Sequence, residues 1–160
     1  MKPSDRGYLE RCIALAEEAL AAGDEPFGSV LVGADGTVLR EARNRAVTLD
    51  PTHHPEFELA RWAGQTLAPE VRRAATVYTS GEHCPMCAAA HSWVELGPIV
   101  FATSTAQLTD WMATWDIVPP PIEPLSINQV APHVPVFGPV PEFEARVRAL
   151  HHRRISGRGG

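Results

Sequence analysis

Two short motifs constrain this chain more than its composition does: His54-Pro55-Glu56 and, after an interval that holds a strand, Cys84-Pro85-Met86-Cys87. In each, a proline follows the first candidate ligand. Proline suits the first position of a helix, where its missing N–H costs nothing and its φ is already helical. His54 and Cys84 are therefore expected at two helix starts, and a fold in which they act together has to bring those starts to one point. Cys87 follows Cys84 by three residues, which places both sulfurs on one side of a first turn, where the helix N-terminus favours thiolate.

One histidine and two cysteines offer three metal ligands. Zinc with three protein ligands keeps its fourth tetrahedral position for water, which separates a catalytic site from a closed structural one. Two thiolates and a neutral imidazole leave the ion formally uncharged, and such a centre still brings a bound water toward a pKa of about 7. Glu56, two residues beyond His54, is placed beside the metal rather than on it. As a general acid/base it would take a proton from the water, deliver it to a ring nitrogen of the substrate and, in a second transfer, protonate a departing amine, a role worth roughly 10²–10⁴ in rate. The chemistry so equipped is hydrolytic deamination. A closed structural zinc site drawing on Cys84, Cys87, His91 and either His54 or His83 competes with this reading and would leave Glu56 idle. A redox Cys-x-x-Cys pair competes less well, since it needs no upstream His-x-Glu.

The 160 residues, 44% of them hydrophobic, suit a single domain over 1–160. The formal net charge is −5, with Lys2 the one lysine, and Arg146, Arg148, Arg153 and Arg154 fall on an expected C-terminal helix. Such a run reads as a solvated face, so a nucleic-acid partner is not expected. Neither a membrane span nor a signal-peptide layout is apparent, and a cytoplasmic setting is expected. There, cysteines read as metal ligands before disulfides, and Cys12, in a helical pattern, reads as a small core residue.

Tyr8, Cys12, Ala16, Ala19 and Leu20 recur at helical spacing and predict a helix over about 5–22, stopped by Gly23. Residues 28–32 and 37–42 flank Gly33-Ala34-Asp35-Gly36 as an antiparallel hairpin. A helix over 55–67, a strand over 75–79, a helix over 85–96 and a strand over 99–102 follow. That alternation implies an α/β fold with parallel strands and ligand sites at their carboxyl ends. Residues 118–141 carry eight prolines and are expected to be extended, able to cross a surface but not to lie in the middle of a sheet. A helix over about 142–153 closes the chain.

The pairing of His-x-Glu with Cys-x-x-Cys resembles the signature of zinc nucleobase deaminases. Most of the chain looks like the cytidine/deoxycytidylate deaminase superfamily. Pro26-Phe27-Gly28, Asn44-Arg45, Asp50-Pro51-Thr52 and Tyr78-Thr79-Ser80 are similar to its guanine deaminase and tRNA adenosine deaminase branch. The resemblance implies a three-layer cytidine deaminase-like fold, with a mixed five-stranded sheet flanked by helices. It implies Zn2+ held by His54, Cys84 and Cys87, with Glu56 catalytic and substrate contacts from Asn44 and Phe27. It also implies a homodimer in which the segment over 118–160 can exchange between subunits.

Two departures from the branch bear on specificity. Pro55 stands where alanine is usual and has no amide hydrogen to offer a substrate carbonyl. His83 stands where proline is usual and is expected as a titratable substrate contact at the metal rim. Trp111 and Trp115, four apart on an expected helix, read mainly as core or interface, with Trp111 kept as a substrate-binding candidate. Glu82, Asp110 and Asp116 are further acids able to accept from ring N–H groups.

The function expected is a zinc-dependent hydrolytic deaminase of a free amino-substituted heterocycle, a guanine-like purine or a cytosine-, isocytosine- or aminotriazine-like ring. The acidic balance and the absence of a glycine-rich phosphate cradle favour such a small-molecule partner. A tRNA adenosine-to-inosine deaminase, which needs a basic channel, is the alternative, and a non-catalytic structural zinc domain is the second.

Overall fold

Side chains of successive strand residues point to opposite faces, so a strand rich in valine and leucine at every position needs cover on both sides. The computed structural model, which describes residues 1–157, supplies that cover. Strand β1 (Gly28–Val32) is buried along its whole length; Val30 and Val32 join one core and Leu31 the other. The first core lies under helices α1 (Pro3–Ala21) and α7 (Glu144–Ser156). The second lies under α2 (Pro55–Thr66), α4 (Pro85–Trp93) and α6 (Ile127–Val130). Helix α1 runs so close to β1 that a Cβ on Gly28 would stand 2.4 Å from the Cys12 carbonyl oxygen, so only glycine fits there.

The sheet order is β2-β1-β3-β4-β5, with β2 (Val38–Arg43), β3 (Thr76–Gly81), β4 (Ile99–Thr103) and β5 (Val136–Phe137). Strand β1 is antiparallel to both β2 and β3, while β3, β4 and β5 are parallel. The mixed five-stranded α/β sheet is thus present, and the expectation of parallel crossovers holds from β3 onward. The chain leaving β2 crosses over β1 through α2 and enters β3 pointing the same way as β2.

Several boundaries differ from expectation, each for a local reason. Helix α4 ends at Trp93 rather than 96, because the chain turns through Glu95 at φ 57°. Helix α3 (Pro69–Ala74), begun by Pro69, was not foreseen. Its Arg72 donates to the carbonyls of Leu67 at 2.6 Å and Val94 at 2.7 Å, the residues that follow α2 and α4. The proline-rich stretch is not wholly extended. Between Pro124 and Pro132 it forms α6, where Gln129 accepts from the Ser126 N–H at 2.8 Å in a capping box. Its one strand, β5, takes the sheet edge, where prolines on either side leave no needed donor missing. The segment expected over 118–160 continues as a single turn over Pro141–Phe143 and then α7; its last three residues lie outside those described.

Candidate active site

Helices α2 and α4 begin at the same edge of the sheet, beyond the carboxyl ends of β2 and β3. His54 is the residue before α2, in extended conformation, and Cys84 holds the same place before α4. The expected helix-start geometry brings the three candidate ligands together. His54 Nδ1 lies 3.5 Å from Cys84 Sγ and 3.6 Å from Cys87 Sγ, and the sulfurs are 3.6 Å apart. Metal–sulfur bonds of about 2.3 Å and metal–nitrogen bonds of about 2.0–2.1 Å at tetrahedral angles give edges of roughly 3.6–3.8 Å, so this triangle fits zinc. Among the described residues these three form the metal-capable group. His91 stands apart from it, its Nε2 donating to the Gly97 carbonyl at 2.8 Å, so the closed shell built on His91 is not what the chain forms.

The ligands are electrostatically prepared. Hydrogen bonding from Cys87 brings the Cys84 thiol down to about 4, helped by His54. The same pairing, with burial, pushes Cys87 well up, so the two sulfurs share one proton. Contact with the Cys84 sulfur raises the His54 pKa. Zinc would displace those protons and leave both sulfurs anionic.

Glu56, on the first turn of α2, is 5% exposed. Thr79, at the carboxyl half of β3, donates its hydroxyl to Glu56 Oε1 at 2.8 Å and itself accepts from Ser29 Oγ at 2.9 Å. Burial raises the pKa of Glu56, against the opposing pull of His54 and the Thr79 hydrogen bond. Thr79 appeared in the sequence only as part of a resembling triplet; the alternation of β3 is what turns it toward α2.

Just past the β1–β2 ladder, the Asn44 N–H donates to the Phe27 carbonyl at 3.0 Å, and both residues line a cavity together with His54, Pro55, Glu56 and Cys84. The Asn44 Oδ1 accepts from the Ala46 N–H at 2.8 Å, which leaves its NH2 group facing the cavity. Buried Asp24 orders the loop that follows by accepting from the amides of Val47 at 3.0 Å and Thr48 at 2.8 Å. The cavity measures about 380 Å³, toward the small end of the roughly 300–1,000 Å³ usual for ligand pockets. A second cleft of about 540 Å³ adjoins His54 on its other side, next to Arg45, Phe57 and Arg61, and includes neither Glu56 nor a cysteine.

Two expected substrate contacts lie elsewhere. His83 is 1% exposed and packs edge-on against His91 with ring centroids 5.4 Å apart; it faces the interior rather than the metal rim, because it precedes the α4 start on the opposite side of the backbone from the cavity. Trp111 is built into the core under α1 and α7, and Trp115, the residue that caps α5 (Thr105–Thr114), lines the cavity instead. Glu82 lines the cavity too, but its two oxygens accept from the Thr105 amide at 2.8 Å and the Ile127 amide at 2.9 Å, tying α5 to α6. Asp110 and Asp116 are exposed and outside the lining. Sequence reasoning passed over Leu108, Met112 and His151 and read Trp115 as core or interface; all four line the wall.

Residues 2–103 match the model of the cytidine and deoxycytidylate deaminase zinc-binding region. The chain is 32% identical over 150 residues to a probable cytosine deaminase of Schizosaccharomyces pombe, covering 91% of this chain and 90% of that one. It is 37% identical over 97 residues to a guanine deaminase of Bacillus subtilis, covering 59% of this chain but 62% of that protein. A solved guanine deaminase from Nitrosomonas europaea shares the fold, with a TM-score of 0.71 at 18% identity over 96% of this chain and 84% of that one. No helix of the described residues is long and apolar enough to cross a membrane. Both the arrangement of two helix starts around a zinc-sized triangle and the extent of these matches lead to one assignment: the chain belongs to the cytidine and deoxycytidylate deaminase family, with zinc as its cofactor.

Proposed function

We propose that the protein is a zinc-dependent hydrolytic deaminase of a free amino-substituted heterocycle, guanine-like or cytosine-like. The observation that carries this reading is a buried carboxylate, Glu56, beside the His54, Cys84 and Cys87 triangle in a small cavity lined largely by apolar and aromatic groups. The guanine and cytosine deaminases among the relatives support the ring class.

When bound, zinc supplies the Lewis acidity that lets a water attack the amine-bearing ring carbon. Glu56 moves the protons: it accepts one from the water and delivers it to a ring nitrogen, then accepts the second from the hydroxyl added to the ring carbon and delivers that one to the leaving amine. The C–N bond breaks, a ring carbonyl replaces it and ammonia departs. Its raised pKa brings it closer to the operating pH, where one group both takes and gives a proton efficiently. Thr79 holds one oxygen of Glu56 in place during both transfers. The Asn44 NH2 group donates to a ring carbonyl or nitrogen, and Phe27 packs beside the ring. Pro55, on the cavity wall, offers no N–H to that ring.

A homodimer and a cytoplasmic setting belong to this proposal. Trp93, 87% exposed at the end of α4, supports an interface on that face, and three free cysteines suit a reducing compartment. Helix α7 lines the cavity through His151, Arg154 and Ile155, so the same segment would supply that wall to its own chain or, exchanged, to a partner's. Light scattering should give about twice 17.4 kDa.

The function is tested by ammonia release from zinc-loaded protein over guanine, cytosine, isocytosine, aminotriazines, adenine, their nucleosides and tRNA. Turnover of a free base is expected. Turnover confined to tRNA, or to intact nucleosides, would overturn the reading.

A further inference from the structure

Three histidines are buried without being metal ligands, and they differ in what their nitrogens meet. Both ring nitrogens of His83 and Nδ1 of His91 are sealed in the interior without a partner. His151, on α7, is also buried, at 6% exposed, but its ring lies on the wall of the cavity that holds Glu56 and Cys84. Among the described residues no hydrogen bond engages it, and its nitrogens are not among the sealed ones. A buried polar group without a partner costs roughly 1–3 kcal/mol, so a ring aimed at a cavity is stabilised when a ligand brings the missing hydrogen bond.

Resting on the deaminase reading and deepening it, we infer that His151 is a substrate-recognition residue, whose imidazole hydrogen-bonds a polar edge of the heterocycle other than the amine that leaves. The ring is held in place for this. It meets Phe27 edge-on, with centroids 4.9 Å apart and planes at 65°, and lies 6.1 Å from Trp111. Phe27 thus links His151 to Asn44, whose N–H donates to the Phe27 carbonyl.

Several other polar groups of the wall are engaged. Both Glu82 oxygens accept from backbone amides. The Thr109 hydroxyl donates to the Thr105 carbonyl at 2.8 Å, and Arg154 Nε reaches Glu25 at 3.4 Å. Asn44 then presents its NH2 group as a donor, and His151 presents an imidazole that burial pushes down to about 4 and so keeps neutral at pH 7, with one donor and one acceptor. A donor beside a group that both donates and accepts complements an amide-like ring edge, where an N–H adjoins a carbonyl. The ligand class is an uncharged, planar ring with such an edge; among the described residues the arginine on this wall, Arg154, is paired through Nε with Glu25.

The experiment measures the dissociation constants of guanine, cytosine and isocytosine by calorimetry on zinc-loaded Glu56→Gln protein, alone and combined with His151→Phe or His151→Gln. Phe keeps the aromatic packing against Phe27 and loses the hydrogen bond; Gln keeps a donor and an acceptor. For whichever base the parent binds, His151→Phe is expected to weaken binding about tenfold, the scale of one hydrogen bond, and His151→Gln less than about threefold, with zinc content unchanged. Binding to the Phe variant within twofold of the parent, equal losses in both variants, or no binding of any base to the parent would overturn the assignment. Base binding without ammonia release by the wild-type protein would sink the deaminase reading alone and leave His151 standing.

Discussion

The inner floor of the cavity comes from two helix starts thirty residues apart, whereas its outer wall comes from side chains spread over α5, the loop over 117–124 and α7. On the floor, backbone conformation does the placing: His54 and Cys84 precede prolines that begin α2 and α4. On the wall, tertiary packing does it, since Leu108, Met112, Trp115 and His151 meet only because α5 and α7 cover the same edge of the sheet. The difference teaches that one cavity can hold its chemistry rigidly while its recognition surface is open to change, and it separates substitutions that alter kcat from those that alter KM.

The sharpest way to break this division is Glu56→Gln, which keeps the shape of the floor and removes the proposed proton carrier. Activity is expected to fall roughly 10²–10⁴-fold while a free base still binds. Steady-state kinetics with calorimetry check this, and retained turnover would end the assignment. Thr79→Val removes the donor to Glu56 Oε1 without changing side-chain volume. A hydrogen bond to a charged group is worth about 1.5–3 kcal/mol, so kcat should fall roughly ten- to hundredfold with KM little changed. A rise in KM instead would move Thr79 into the recognition surface.

Acid probes the support behind the floor. Burial pushes His91 down to about 4, below the unfolded value of about 6.5, so the unfolded chain binds the extra proton. Its stabilising contribution is complete above pH 6.5 and is lost as the pH falls toward 4; between pH 7 and 5 the loss is about 2 kcal/mol. Urea unfolding at both pH values should show a drop smaller by about that amount in His91→Gln than in wild type, a difference in which any common zinc effect cancels. Equal drops would mean that His91 is not held neutral. The mildest expected effect is on the wall: Trp115→Leu, losing an aromatic surface worth about 0.5–1.5 kcal/mol, should raise KM about three- to tenfold and leave kcat within twofold.

How much could be read in advance follows the same division. The grouping of His54, Cys84, Cys87 and Glu56 was legible because helix-start rules are local and act over three or four residues. The antiparallel β1–β2 hairpin was legible from its glycine turn and the mixed sheet came through the family resemblance; alternation suggested parallel strands thereafter and did not show that β1 is also antiparallel to β3. Proline density correctly kept β5 off the sheet interior but hid α6, whose Ser126-x-x-Gln129 capping box was there to be seen. Adjacency to Cys84 suggested the metal rim for His83, yet neighbours in sequence can face opposite sides of the backbone, and the ring is sealed against His91. Spacing alone could not tell Trp111 from Trp115, because residues four apart share a helix face and only depth separates the core from the cavity.

The double cap made by Arg72 carries a mechanical consequence. Helices α2 and α4 hold the metal triangle at their N-terminal ends, and the chain just beyond each C-terminal end, at Leu67 and Val94, is bound to one guanidinium at 2.6 and 2.7 Å. The two helices therefore behave as the legs of a pair of dividers joined at a common pivot. A displacement of either leg is shared with the other, and the gap at the points, a few ångströms wide, is set before any ion arrives to measure it.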